Sequence, residues 1–256
     1  MRYGFAVDIG TTNIEISLWN LDSGAILGKK TSRNCLYLYG ADVVSRILYA
    51  HYNSVETFQQ KLISQLKQEF DAMIREFCAG SCDDLVTDRA KFVADRAVLT
   101  GNTVMLHFLS GLSVAGFEKA PFTPVSLFGE AVPASSALAS LAKEVILPPC
   151  ISAFLGADIV CASLAVERGA VCVAPDAVSD AHPVASAAEK PYIVIDIGTN
   201  TEIMLVDADG NRTACSAAAG PAFEGGGLSV EMKGSALVSE LARMLDDGII
   251  DRKSVV

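Results

Sequence analysis

Residues 6–13 read AVDIGTTN, and residues 194–201 read VIDIGTNT. Each phrase runs from apolar residues through Asp, Ile, Gly and Thr into further small polar residues. Apolar residues then resume, at Ile14, Ile16 and Leu18 after the first phrase and at Ile203 and Leu205 after the second. Each phrase therefore reads as a short buried strand, a tight turn and an alternating second strand. Self-similarity between two distant segments implies two similarly built lobes.

The turn chemistry points to phosphate. Glycine can adopt φ > 0 and has no side chain, so the backbone at Gly10 or Gly198 can approach a ligand closely. Successive N–H groups from Gly10 to Asn13 can converge on one anion. Thr11, Thr12 and Asn13 add short donors, and Gly198, Thr199, Asn200 and Thr201 repeat the design. Asp8 and Asp196 close their strands beside these turns. Magnesium takes one or two carboxylates together with waters and phosphate oxygens, so both acids are candidate Mg2+ ligands. Two such turns could grip a polyphosphate from both sides. The blander reading of either phrase is a Gly hairpin with a capping Asp, and the duplication favours phosphate. No GxxxxGK[ST] run occurs and no GxGxxG follows a strand, which excludes a Walker-type P-loop and a dinucleotide fold.

These residues resemble the two phosphate loops of the actin, sugar kinase and heat-shock ATPase superfamily. Within it, YGADVVSRI (39–47), TGNTVMLHFLSG (100–111), APFTPV (120–125), PPCISAFLGADIV (148–160), VIDIGTNTEIML (194–205) and AAAGPAFEGGGL (217–228) resemble the reductive activators of corrinoid proteins. The resemblance implies an α/β fold of the actin-like, ribonuclease H-like kind, with two lobes of mixed sheets and flanking helices. It implies a first lobe over residues 1–145 and the start of a C-terminal ATP-binding domain over 146–256; within the latter, the small, polar, Pro-bearing residues at 174–191 read as a flexible segment. It also implies ATP and Mg2+ as cofactors and a corrinoid protein as partner. The family's N-terminal two-iron ferredoxin domain has no counterpart here, since no C-x4-C-x2-C pattern occurs. No iron–sulfur cluster is therefore expected in this chain, and electrons would come from a separate ferredoxin-like donor. The superfamily's Gly-rich adenosine site is expected beyond Val256, which would leave the second lobe incomplete. The run at 225–227 comes too early for it.

Composition narrows the partners. The net charge of −10 argues against nucleic acid and anionic membrane, which both reward clustered Lys and Arg. Asp8 interrupts the N-terminal apolar run, so no secretory signal is expected. No stretch of 18 uncharged apolar residues occurs either. Seven cysteines, an odd number, suit a cytoplasmic, reduced protein. The Cys78/Cys82 pair lacks the further ligands a zinc site needs and reads as helix-end thiols.

Strands alternating with helices mark the chain as α/β. Residues 3–33 read as a three-strand meander, and 41–50, 55–77, 103–109, 151–166 and 235–245 as helices. Val55, Phe58, Leu62, Leu66, Phe70, Met73 and Phe77 form one apolar stripe on the second of these. Residues 96–99 read as a strand and 113–145 as irregular, with a short helix near 137–142. Residues 192–217 read as a second meander turning at Asp209-Gly210.

Further candidates lie at strand and helix ends. Asn102 sits in a strand-to-helix junction, where it can cap the helix, face a ligand, or do both. Asp158 is the lone acid in ISAFLGADIVCASLA and must reach water, a partner or a metal. By superfamily analogy it could polarise an attacking water; otherwise it faces solvent or pairs with a neighbour. Asp8, Asp158 and Asp196 are thus the candidate catalytic acids. His107 reads as packed, not ligating. Glu224 either faces the cleft or ends a turn. Three functions fit: an ATP-dependent activator, a docking module that binds a corrinoid protein or completes itself as a homodimer, and a small-molecule kinase of the superfamily.

Overall fold

The apolar alternation around each DIGT phrase folds as strands. A computed structural model describes residues 2–80, 93–130, 132–168 and 191–217, together with Arg243 and Asp247. Almost all of the expected helix at 235–245 and of the 174–191 segment, together with Cys82, Glu224 and the Gly run at 225–227, lie outside the described residues.

β1 (Tyr3–Ile9), β2 (Asn13–Asn20) and β3 (Ile26–Arg33) form the expected antiparallel meander. β4 (Arg96–Gly101) adds in parallel beside β1, and β5 (Glu144–Ile146) adds in parallel beside β4. The sheet order is β3-β2-β1-β4-β5, a mixed sheet. β5 falls in a region expected to be irregular. It has only three residues, and its pairing with β4 is a tertiary contact that no local pattern announces.

Among the described residues, four α-helices accompany the strands. They are α1 (Val43–Tyr52), α2 (Val55–Gly80), α3 (Thr103–Ser110) and α4 (Ala157–Glu167). Asp42 caps α1 by accepting from the Ser45 N–H at 2.7 Å. The stripe on α2 is core: Phe58, Leu62, Leu66, Phe70 and Met73 are all buried. Phe70 stacks on Phe5 of β1 with ring centroids 3.8 Å apart. Each such side chain contributes about 1.5–3 kcal/mol of burial free energy, so this face holds the first sheet and its helix together.

α4 is shorter than expected. Residues 151–155 form a turn in which the N–H groups of Ile151 and Ser152 both donate to the Leu155 carbonyl, at 2.9 and 3.1 Å. Asp158 therefore stands in the first turn of the helix rather than in its middle, where a carboxylate is favoured by the helix dipole. Contacts divide the chain into compact units at 1–165 and 166–256. The reason lies in packing: Leu147, Cys150, Ala153 and Ala157 all belong to the core beneath the first sheet.

In the second unit, β6 (Tyr192–Ile197), β7 (Thr201–Val206) and β8 (Arg212–Ala217) form an antiparallel meander. Its Asp209-Gly210 turn is as expected: the Asp207 carboxylate accepts from the N–H groups of Asp209 and Asn211 at 2.9 and 2.8 Å. Glu167 accepts from the Tyr192 hydroxyl at 2.9 Å and pairs with Arg212. One face of this sheet carries Ile193, Ile195 and Ile197 at 60%, 55% and 45% exposure, whereas Phe5, Val7 and Ile9 of β1 are at most 2% exposed. No helix among the described residues is long and apolar enough to cross a membrane.

His107 is a core residue of α3. Its Nδ1–H donates to the Thr103 carbonyl at 2.7 Å, and its Nε2 accepts from the Ser126 N–H at 3.3 Å. The ring packs edge-on against Phe117 and Phe128. Burial pushes its pKa below the usual 6.5. Between the lowered pKa and 6.5 the unfolded chain binds the proton that the folded chain refuses. Stability is therefore complete above pH 6.5 and falls as pH drops below it, by at most about 1.4 kcal/mol per pH unit. Melting curves from pH 7.5 to 5 should show this decline, and His107→Gln should flatten it. An equal decline in the variant would mean that other groups carry it.

Candidate functional site

Three connections meet at one end of the first sheet: the β1–β2 turn, the β4–α3 junction and the entry to α4. Their backbones are in direct contact. Gly101 has φ near +149°, and a Cβ there would lie 2.6 Å from the Ile9 carbonyl oxygen. A Cβ at Gly156 would lie 2.5 Å from both the Gly101 carbonyl oxygen and the Asn102 Cα, and 2.9 Å from the Asp158 carboxylate. Only glycine allows this approach. The packing brings Asp158 beside the Gly101-Asn102 junction and leaves it half-buried, with Oδ1 accepting from the Ile159 N–H at 2.8 Å.

Asn102 takes the capping role and also ties the helix start to the first turn. Its Oδ1 caps α3 by accepting from the Met105 N–H at 2.9 Å, and its Nδ2 donates to the Thr11 hydroxyl at 3.1 Å. Thr103 donates its hydroxyl to the Ser152 carbonyl at 2.6 Å, tying α3 to the turn before α4. Asp8, Gly10–Asn13, Asn102 and Asp158 are thus gathered in one unit. Thr11 is buried and serves the junction, whereas Thr12 and Asn13 are exposed at the turn. Gly10 does not use positive φ. A side chain is excluded there because a Cβ would lie 2.7 Å from the Asn13 carbonyl oxygen.

The second turn is built alike but closes differently. In the first hairpin Ile9 pairs with Ile14, and in the second Ile197 pairs with Thr201. The second turn is one residue shorter, and its Gly198 N–H donates to the Asn200 carbonyl at 2.8 Å. Thr201 is buried, and its hydroxyl has no hydrogen-bond partner among the described residues. Such an orphan costs free energy until something fills its hydrogen bond.

The slip in register has a chemical result. Asp8 stands directly opposite Glu15, and Asp196 directly opposite Glu202. Directly opposed residues share a face, and like charges there repel. Asp8 and Glu15 are exposed, while Glu202 is buried and accepts from the Ser216 hydroxyl at 3.2 Å. Burial holds the Asp196 carboxyl above the usual carboxylate range. The two glutamates went unremarked in the sequence because aligned copies of the phrase do not place them at matching positions. Among the described residues no group of three or more His, Cys, Asp or Glu could hold a metal ion. The thiols near this end are not activated: burial pushes Cys150 up to about 11 and raises Cys161.

The family model described as "RACo middle region" matches residues 3–168, and that described as "C-terminal domain of RACo the ASKHA domain" matches residues 190–236. The corrinoid activation enzyme RamQ of Eubacterium limosum is 29% identical over 238 residues, covering 91% of this chain and 35% of that protein. The Co(II) methylated amine-specific corrinoid protein reductase of Methanosarcina barkeri is 26% identical, covering 91% of this chain and 39% of that protein. The solved reductive activator for corrinoid, iron-sulfur protein superposes with a TM-score of 0.70 at 26% identity, over 98% of this chain and 41% of that one. The chain thus spans well under half the length of each. The fold is that of an actin-like ATPase, mixed sheet with flanking helices, as the sequence implied. By its match over residues 3–168, the chain belongs to the RACo family.

Proposed function

We propose that this chain is the nucleotide-binding portion of an activator that couples ATP to the one-electron reduction of a Co(II) corrinoid protein to Co(I). The observation that carries this reading is the duplicated hairpin, in which a Gly turn follows an Asp directly opposed by a Glu. Opposed carboxylates beside a phosphate-type turn are costly alone and become favourable once a cation joins them. The orphan Thr201 hydroxyl fits a phosphate oxygen in the same way. Asp8 and Asp196 are the residues proposed to hold Mg2+, which when bound would neutralise phosphate charge. Exposed Thr12 and Asn13 in the first turn, and Gly198, Thr199 and Asn200 in the second, are proposed to hold phosphate oxygens. Asp158 is proposed to orient the attacking water from the entry of α4. The electron is proposed to come from a separate iron–sulfur donor.

Thermal melting tests the nucleotide part. Mg-ATP at millimolar concentration is expected to raise the melting temperature by several degrees, in line with about 2.7 kcal/mol at 100 times Kd. Absence of any shift with Mg-ATP, Mg-ADP or magnesium tripolyphosphate would overturn it. ATP turnover that requires an added sugar or carboxylic acid, and not a corrinoid protein, would reassign the chain as a kinase.

A further inference from the structure

Asn34 follows the last residue of β3 and is fully buried. Its backbone N–H donates to the Thr12 carbonyl at 2.9 Å, and its Nδ2 donates to the Gly10 carbonyl at 2.8 Å. Its Oδ1 accepts from the Leu36 N–H at 2.9 Å, and its own carbonyl accepts from the Tyr37 N–H at 3.1 Å. All the polar groups of the residue are therefore engaged, two of them on alternate carbonyls of one turn. Behind it, Met105 Sδ lies 3.6 Å from Nδ2 and 3.4 Å from Nη1 of buried Arg46, so the amide is packed in place.

A trans peptide holds its C=O and N–H on opposite sides. The peptides of this turn are trans, the cis bond among the described residues being Ala120-Pro121. Drawing the Gly10 and Thr12 carbonyls toward Asn34 turns the next N–H groups, those of Thr11 and Asn13, toward the opposite side. An anion held by the turn needs its donors on that side.

We infer that Asn34 is the positioning residue of the first phosphate turn, holding two alternate carbonyls behind the turn so that two alternate N–H groups face a nucleotide phosphate. The inference rests on the phosphate reading of Gly10–Asn13. Asn34 itself touches no ligand and acts through the turn. Its side-chain bond to Gly10 and its backbone bond to Thr12 come from the β3 end, a strand separated from the DIGT phrase by the whole of β2.

Asn34→Asp is the sharp test. It keeps the shape and the acceptor for the Leu36 N–H but sets a carboxylate oxygen against the Gly10 carbonyl where a donor stood. Affinity for Mg-ATP and for magnesium tripolyphosphate, measured by titration calorimetry well below the melting temperature, is expected to fall about tenfold or more. The amide 15N shifts of Thr11 and Asn13, recorded without nucleotide, are expected to move. A residue that merely stabilised the fold would lower the melting temperature and leave both readouts of the folded protein unchanged. Unchanged affinity in the variant overturns the inference. If the unsubstituted chain binds neither probe, the phosphate reading fails by itself, and the amide shifts decide separately: unmoved shifts overturn the role of Asn34, and moved shifts support it as the residue that sets the turn. Should Asn34→Asp fail to fold, Asn34→Ser, which keeps a cap for Leu36 and loses only the Nδ2 donor, is read in the same way.

Discussion

Asp8→Asn is expected to remove most of the response to Mg-ATP while leaving the nucleotide-free protein as stable as before, or slightly more so. The two effects have opposite signs because the carboxylate has two opposite roles. Without a cation it faces Glu15 directly across the hairpin, and removing one of two opposed like charges relieves a few tenths of a kcal/mol to about 1 kcal/mol. With Mg-ATP, the same carboxylate is a proposed ligand of the cation. At a nucleotide concentration 100 times Kd, binding stabilises by about 2.7 kcal/mol, and a hundredfold loss of affinity would leave about 0.4 kcal/mol. Melting curves with and without Mg-ATP measure both quantities in one experiment. A variant that keeps the full nucleotide shift would remove Asp8 from the site, whatever its effect on basal stability.

Phe58→Ala is expected to cost about 4 kcal/mol, the range for deleting a fully buried aromatic ring. Phe58 of α2 is completely buried. Its ring lies 4.9 Å from Tyr39, 5.7 Å from Tyr49 of α1 and 4.7 Å from Phe108 of α3. One side chain therefore joins α1, α2, α3 and the short 3-10 turn at Cys35–Tyr39 that follows Asn34. Such a loss is a large part of the stability of an ordinary domain and should lower the melting temperature by roughly 10 °C. Tyr52→Ala, at a residue 82% exposed on α1, is the control and should stay within about 0.5 kcal/mol. Similar losses in both variants would mean that α2 is not the keel of the first unit.

The elements legible in the sequence were those whose signal is local. The meander over β1–β3 and the stripe on α2 each carry their period within a few residues, and both folded where the pattern placed them. The start of α4 did not, because the apolar run from Ile151 has no helical phase until Gly156 has packed on Gly101 and Asn102. β5 was hidden for a related reason: three residues cannot show a period, and only β4 makes them a strand.

The candidate site divides along the same line. The sequence by itself supplied the phosphate proposal and most of its candidate residues, because a Gly turn flanked by Asp and small donors has a chemical meaning that needs no partner. It also determined the family, through long strings in order along the chain. The tertiary structure alone decided which residues serve the turn and which serve its frame. It turned Thr11 inward to Asn102 and set Gly101 and Gly156 back to back. It slipped the two hairpins by one residue so that Glu15 and Glu202 oppose the duplicated aspartates. It also brought Asn34 from the end of β3 to the carbonyls of Gly10 and Thr12. The physical reason is that strand register and close backbone approach are fixed by pairing between distant segments, which no single stretch of sequence contains.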